Sequence, residues 1–530
     1  MIADWVAKFA DEVIAEAERR APGKPIVCAS GLSPSGPIHL GNLREVTTPH
    51  LVADEIKRRG LDCVHLLSWD DFDRFRRVPA GVDPSWAEHI GKPLTSVPAP
   101  PGSEHASWAE HFKAPLSAAL ADLGIEVTAI SQTERYTSGA YREQILRAMA
   151  HRGTIDAVLA RYRAKPVERY FPYKPYCALC RRDLTTVTGY DDESTELAYT
   201  CECGFGESVR LAEHDQGKLV WKVDWPMRWA HEGVIFEPSG VDHHSPGSAW
   251  IVGGQLIGEV FGGERPIGPM YAFVGISGMA KMSSSKGGVP IPAEALEIME
   301  APLLRWLYAR RKPDQSFKIA FDQEIQRLYD EWDALGRKVA AGEGLPAEVA
   351  AHTRAVSTAA GALPSTPHPI SYRTLASVAD ITTGDQAQAL RILGDVDGVT
   401  TLDEVRPRLD RAQHWVETQV PAESRTTVRK SPDTDRLAEL SDESRESLRL
   451  LLDGLDAHWS VDGLTTLVYG VPKQVAGHPV DAKPTPELKA AQRAFFALLY
   501  TLLVGRDTGP RLPTLLLAVG ADRVKELLAA

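Results

Sequence analysis

Near its start the 530-residue chain runs from the apolar "KPIVCA" through "SGLSPSGPIHLGNLREV" (Ser30–Val46) into "TTPHLVADEIKRRG", and this strand–turn–helix junction lacks both common glycine fingerprints. With neither G-x-G-x-x-G nor G-K-[ST] there, a dinucleotide turn and a P-loop are excluded at this junction. No run of 18 apolar residues occurs, which excludes a hydrophobic membrane-spanning helix; "AFFALLYTLLVG" (494–505) is too short and reads as a buried helix. The N-terminal stretch carries acidic residues throughout, unlike a secretory leader. Its Ile2, Trp5, Val6, Phe9, Val13 and Ala17 fall on one helical face. Cysteine is scarce, six residues with four paired locally, which fits a reducing cytoplasm better than a disulfide framework. Basic charge is in deficit, with a net charge of −12. That excludes a cationic coat, and no DNA or membrane partner is expected, but local basic tracks for a polyanion remain open. No internal repeat is found.

What is present is an alternation of strands and helices. Strands are expected at Pro25–Ala29, Cys63–Ser68, Val234–Phe236 and Met270–Gly275, with helices over 43–59 and 249–261. Such βαβ spacing implies parallel strands with right-handed crossovers. Between the two halves lies a stretch of different character. It opens with the proline- and glycine-rich "RRVPAGVDPSWAEHIGKPLTSVPAPPG", continues with a helical part, and ends in a cysteine-bearing β-like section, 171–212. The fold class is α/β. A doubly wound parallel domain (1–77 and 213–295) carries an insertion (78–212), then comes a helical connection (296–345) and an all-α domain (346–530). Helices are expected at 302–311, 322–340, 347–360, 385–394, 402–418, 433–454, 461–469, 485–504 and 513–528.

In the opening turn, Gly31 and Gly36 permit close approach of a ligand to the backbone. Gly41 falls in the first helical turn, where a side chain would obstruct a nucleotide. His39 and Asn42, three apart, are expected on one helical face as phosphate donors, aided by the helix N-terminus. Read alone, the stretch also fits a glycine-rich βα turn with a satisfied histidine. A second segment, "GISGMAKMSSSKGG" (275–288), follows an apolar strand and offers Lys281 and Lys286 in a glycine-flanked loop, suited to a departing polyphosphate; a solvated linker is the alternative.

Taken together, "HLGN" and "KMSSS" resemble the two signature boxes of class I aminoacyl-tRNA synthetases, with Asn42 for the second histidine and Ser284 for the second lysine. The segments 222–250, 303–322 and 495–512 resemble the lysine-specific branch of that class. The resemblance implies a Rossmann-type catalytic domain followed by an anticodon-binding domain. It implies lysine–tRNA ligation: ATP with Mg²⁺ as cosubstrate, L-lysine and tRNA(Lys) as partners, and a monomeric enzyme. Catalysis would rest on His39, Asn42, Lys281 and Lys286. ATP would be held by Pro34, Ser35, Gly36, His39, Gly41, Asn42, Met282, Ser283, Ser284 and Ser285. Gly31 and Ser33 would line the amino-acid site, with Trp225, His243 and Tyr271 opposite. A lysine pocket needs carboxylates or an aromatic wall for the ammonium. Glu45, Asp70 and Asp242, with Asp71 beside them, are the acids near strand ends, and which of them meets the ammonium stays open.

The cysteines are spaced C-x₂-C (Cys177, Cys180), 20 residues, C-x-C (Cys201, Cys203) around an expected hairpin, a pattern for structural Zn²⁺ in a ribbon. Cys28 and Cys63 are expected in the core. Candidate tRNA contacts are Arg169 and Lys174, within the aromatic- and cation-rich "RYFPYKPYC" of the acceptor-binding insertion, then Arg310, Arg311, Lys312, Arg506 and Arg511. Three alternatives stand beside this reading. One is a class I synthetase for arginine, glutamate or cysteine; another is a nucleotidylyltransferase, disfavoured by length; the third is a degenerate tRNA-binding paralogue.

Overall fold

A computed structural model describes residues 4–277 and 290–529. Helix α1 (Trp5–Arg20) begins at Asp4, whose carboxylate accepts from the Ala7 N–H at 2.9 Å. Its Val6, Ala10 and Val13 stripe packs on Ile26, Cys28 and Phe236. Strands β1 (Ile26–Leu32) and β2 (Cys63–Trp69) flank helix α2 (Leu40–Arg58) in sequence. They pair in parallel from Ile26↔Cys63 to Leu32↔Trp69. Cys28 and Cys63 are core residues, as expected. Both strands read as near-continuous apolar runs because helices cover both sheet faces.

Helix α3 (Trp108–Asp122) leads to β3 (Thr128–Ser131), which pairs in parallel with β2, Leu66↔Thr128 through Trp69↔Ser131. This is a correction to the expected insertion: within 78–212, the part 108–131 continues the parallel sheet. "TAIS" is short and exposed at its start, so no periodic signal marks it. On the other edge, Val234–Phe236 forms single parallel bridges rather than a full strand. Phe236 bridges Cys28 on one side and Ile267 on the other. The Ala29 N–H donates to Phe236 O at 2.8 Å and the Ile235 N–H to Val27 O at 2.9 Å. The chain therefore departs from β1 to both sides, and the crevice beyond the carboxyl end of β1 is a topological switch point, where open α/β sheets bind ligands.

Met270–Gly275 divides in two. Met270–Tyr271 pairs with Ser239–Gly240, and Val274–Ser277 pairs with Phe317–Ala320, all parallel. The helix expected over 249–261 runs as Ala249–Leu256 and ends in a π-turn, Ile257–Phe261. The cysteine-bearing section holds β4 (Tyr173–Pro175), then the antiparallel meander β5 (Thr185–Tyr190), β6 (Glu196–Cys201) and β7 (Gly206–Arg210), and β8 (Gly217–Leu219), which pairs with β4.

Beyond residue 300 the described chain is helical except for Phe317–Ala320 and a two-pair hairpin, Ser357–Thr358 with Gly361–Ala362. That hairpin departs from the all-α expectation. It docks on α2, where Arg58 donates to Ser357 O at 2.7 Å and Asp54 accepts from the Ala359 N–H at 2.7 Å. A helix not foreseen from sequence, Tyr372–Thr382, lies at the centre of this part. The helices expected at 402–418, 433–454 and 513–528 are each broken in two, at Pro407, Leu440 and Gly520. One hydrophobic core runs from Leu32 and Leu43 through Trp306, Tyr329 and Trp332 to Tyr372 and Trp415. A separate core holds residues 437–528. The first core thus crosses position 346.

Buried charge locks this junction. Arg408 donates to Glu300 at 2.7 Å and to both oxygens of Asp333 at 2.9 and 3.0 Å, and Glu300 also accepts from Thr366. Breaking a buried ion network leaves an uncompensated charge, at a cost of about 3–5 kcal/mol. Arg408→Ala should lower the denaturant midpoint accordingly, and Arg408→Met combined with Glu300→Gln should recover part of the loss.

Candidate active site

The turn after β1 is built by reciprocal capping. His39 is the N-cap of α2; its Nδ1 accepts from the Gly41 N–H at 3.1 Å, and Asn42 Oδ1 accepts from the His39 N–H at 3.3 Å. His39 and Asn42 thus hold each other at the helix mouth, which goes beyond a shared face. Burial lowers the His39 pKa, so the ring is neutral near pH 7. Because Nδ1 accepts, the proton sits on Nε2, leaving Nε2–H and the Asn42 amide as donors. A Cβ at Gly41 would lie 2.8 Å from His39 Cε1 and 2.9 Å from Nδ1. Gly41 is needed for the histidine's own placement, a reason independent of any nucleotide.

These residues open on a cleft of about 1310 Å³ lined by Gly31, Ser33, Ser35, Gly36, His39, Gly41, Asn42, Asp242, His243 and Tyr271. Pro34 is buried and does not line it. Arg44, buried in α2, donates to the carbonyls of Ala272 and Gln315 at 2.9 Å each and of Lys312 at 2.7 Å, fixing the far wall. Lys281, Met282, Ser283, Ser284, Ser285 and Lys286 lie outside the described residues.

At the floor a smaller cavity of about 220 Å³ extends under the sheet end between Gly31, Ser68, Trp221, Trp225 and His243. Four carboxylates reach its wall: Glu45, Asp70, Glu232 and Glu237. Two are paired with arginine. Asp70 accepts from Arg228 at 2.5 Å, and Glu232 pairs with Arg135 at 3.2 Å. The other two have neutral partners. Tyr271 donates its hydroxyl to Glu45, while Trp225 and Trp229 donate their indole N–H groups to Glu237 at 3.0 and 2.6 Å. Burial raises all three inner acids, Glu45 well above the carboxylate range, Asp70 to about 6 and Glu237 to about 7. Removal from water outweighs the hydrogen bonds each receives.

The aromatic wall is a helical stripe. Trp221, Trp225 and Trp229 recur every four residues on helix Trp221–Glu232. Trp225 stacks on Trp221 at 5.1 Å between centroids and meets His243 edge-on at 5.3 Å. Of the expected amino-acid-site residues, Gly31, Glu45, Asp70, Trp225 and His243 converge here. Ser33, Asp242 and Tyr271 face the larger cleft, with Tyr271 reaching Glu45 across the boundary. Asp71 is turned away and holds Lys113, Ser131 and Thr133. Glu237, Trp221 and Arg228 were not foreseen. Glu237 directly follows the apolar "VIF" at a sheet end, and the tryptophan spacing is visible in sequence, so both signals were available.

The four cysteines of the meander converge. All four sulfurs lie within 4.8 Å of one another, with Cys177–Cys203 at 3.7 Å and Cys180–Cys201 at 3.6 Å. Sulfurs about 2.3 Å from a tetrahedral zinc lie about 3.8 Å apart, so the set fits that ion. The basic candidates are dispersed. Arg169 donates to Thr188 O at 3.0 Å, Arg310 stacks over Trp306 at 3.9 Å, and Arg506 donates to the carbonyls of Glu423 and Arg425 at 3.4 and 3.1 Å. Arg311, Lys312 and Arg511 are exposed, and Lys174 is half-buried.

A crevice at the switch point of a parallel sheet, with a neutral histidine donor and no P-loop, fits the architecture of the class I aminoacyl-tRNA synthetases. The family model described as tRNA synthetases class I (K) matches residues 3–362, and the chain belongs to that family. A lysine–tRNA ligase of Streptomyces coelicolor is 67% identical, over 99% of this chain and 98% of that protein. One from Thermococcus kodakarensis is 32% identical over 98% of each. Among solved structures, a glutamate tRNA ligase from Elizabethkingia meningosepticum aligns with 95% of this chain and 98% of its own at 13% identity, with a TM-score of 0.45. Among the described residues, no helix is long and apolar enough to cross a membrane.

The raised acids predict a pH signature. Between the ordinary glutamate range and about 7, the folded protein keeps a proton on Glu237 that the unfolded chain has lost. Stability therefore falls as pH rises through that window, by up to about 1.4 kcal/mol per pH unit for one group. Glu237→Gln should flatten the slope of unfolding free energy between pH 5 and roughly 7 relative to the parent; an unchanged slope would remove the assignment.

Proposed function

We infer that the chain is a lysine–tRNA ligase, which activates L-lysine with ATP and transfers it to the 3′ end of tRNA(Lys). The observation that carries this reading is the 220 Å³ cavity, where among the described residues the half-buried Glu45 and the buried Glu237 make no hydrogen bond or ion pair with a cationic side chain, and an aromatic wall lies beside them. A diammonium substrate supplies the missing positive charge, and its alkyl stem fits against Trp225. An acid-lined wall suits a cationic side chain better than a glutamate carboxylate, which disfavours that alternative. The names of the relatives above agree with this reading.

ATP with Mg²⁺ occupies the larger cleft. The lysine carboxylate attacks the α-phosphorus, an oxygen–phosphorus bond forms, and the bond to pyrophosphate breaks. The His39 Nε2–H and the Asn42 amide donate to the reacting phosphate oxygens, with the N-terminus of α2 behind them. Lys281 and Lys286 neutralise the departing pyrophosphate. A ribose hydroxyl of the tRNA end then attacks the carbonyl carbon, the bond to AMP breaks, and the hydroxyl proton passes to the released phosphate. The protein's work is placement and charge neutralisation.

Cys177, Cys180, Cys201 and Cys203 hold a structural zinc that pins the meander. The insertion receives the acceptor end, the helical C-terminal part reads the anticodon, and Arg169, Lys174, Arg310, Arg311, Lys312, Arg506 and Arg511 contribute to tRNA contact. The reading includes a cytoplasmic monomer.

ATP–pyrophosphate exchange across the standard amino acids, with and without tRNA, should be stimulated by lysine; absence of lysine-dependent exchange under both conditions ends the reading. His39→Ala should lower the exchange rate more than tenfold, about 1.4 kcal/mol of transition-state stabilisation or more. Metal analysis should find zinc in the parent protein, with less zinc and a lower melting temperature in Cys177→Ser.

A further inference from the structure

Between β1 and α2 the chain crosses residues 33–38 with almost no bonding of its own. Pro34 and Pro37 have no N–H to donate. Among the described residues, no backbone–backbone hydrogen bond reaches this stretch. Yet Ser33, Ser35, Gly36, Pro37 and Ile38 line the 1310 Å³ cleft. One bond holds the stretch from outside: the indole Nε1–H of Trp108 donates to Ser35 O at 3.0 Å. Among the described residues it is the only hydrogen bond that residues 33–38 make.

Trp108 is itself firmly placed. It is the first residue of α3 and 1% exposed, and its own backbone N–H donates to Val97 O at 2.8 Å. Its ring meets Phe75 edge-on at 5.0 Å and Phe112 at 5.1 Å between centroids, in a small core that also holds Leu94 and Val97. Further along α3, Lys113 is bound to Asp71 at 2.7 Å, and Asp71 is fixed by Ser131 and Thr133. The acid that turns away from the amino-acid cavity thus anchors the helix that carries the indole. An indole offers a donor and no acceptor, so a carbonyl is the partner it can hold.

We propose that Trp108 is a positioning residue for the nucleotide: through the Ser35 carbonyl it fixes the turn of residues 33–38 before ATP arrives. This role rests on the synthetase reading of the large cleft. A wall ordered in advance adds no ordering cost to binding. The phosphate donors are held separately. His39 and Asn42 cap each other, and the Leu40 N–H donates to Pro290 O at 2.9 Å. Losing the Trp108 bond therefore loosens ATP binding and leaves the donors in place. An interaction that serves bound substrate and transition state alike moves KM and not kcat.

Trp108→Phe keeps a ring against Phe75 and Phe112 and removes the N–H. In ATP–pyrophosphate exchange its KM for ATP should rise about three- to tenfold, the effect of one hydrogen bond, with kcat and the KM for lysine changed less than about twofold. Phe112→Leu disturbs the same core and spares the N–H; it should lower the melting temperature and leave the KM for ATP unchanged. An unchanged KM for ATP in Trp108→Phe overturns the proposal. So does an equal rise in Phe112→Leu, which would make the core and not the bond responsible. If Trp108→Phe misfolds, Trp108→benzothienylalanine, which keeps the bicycle and puts sulfur in place of N–H, carries the same expectations. Calorimetric binding of a nonhydrolysable ATP analogue is measured beside exchange. A parent protein that binds the analogue without lysine-dependent exchange loses the functional reading, and the role of Trp108 then stands or falls on the Kd of the analogue in these variants.

Discussion

Everything in the site hangs on the backbone join between β1 and the segment around Phe236. Two hydrogen bonds, Ala29 N–H to Phe236 O and Ile235 N–H to Val27 O, bring together stretches about two hundred residues apart. Once they form, the turn holding His39 and Asn42 faces the loop holding Asp242 and His243 across the end of the sheet. The aromatic helix Trp221–Glu232 is then carried under Gly31, and Glu237 falls one residue beyond the join. Arg44 completes the frame by fastening α2 to three carbonyls of the opposite wall.

This frame makes an acidic cavity tolerable. Carboxylates removed from water are costly unless paired, and such groups respond by holding their protons. Here Asp70 and Glu232 are paired with arginines, while Glu45 and Glu237 are held by a phenol and two indoles, donors too weak to keep them fully ionised when buried. The cavity therefore keeps its negative charge low by protonation of these acids, while the surrounding cores and buried ion networks such as Arg408–Glu300–Asp333 carry the fold elsewhere.

Much of the first half was legible. The strand–turn–helix junction, β2 and the cysteine knuckles each carry local chemistry that spacing reveals, and Glu45, Asp70, Trp225 and His243 do converge, whereas the tyrosines of "RYFPYKPYC" pack into a core. What escaped was decided by long-range pairing. "TAIS" has too few residues to announce a strand, yet it becomes β3 because β2 offers an open edge. Tyr372–Thr382 is a helix whose Tyr372 stacks on Tyr329 at 4.1 Å, a contact no local pattern encodes. The partners of Arg506, two carbonyls, likewise come from residues no local pattern identifies, while Arg310 stacks over an indole face.

The sequence by itself pointed to the class of chemistry: a histidine-bearing glycine turn, a segment with two lysines and a set of four cysteines are defined by residue type and spacing over short distances. Only the tertiary structure decided which acids matter. Asp70, Asp71 and Glu45 are alike as letters in a sequence, but their partners come from segments far away. Asp71 is consumed by Lys113 and Ser131, Asp70 by Arg228, and Glu45 is left with neutral partners, the Tyr271 hydroxyl and the Gly31 backbone. The charge state of a buried group is set by what surrounds it in three dimensions, and that information is nowhere local.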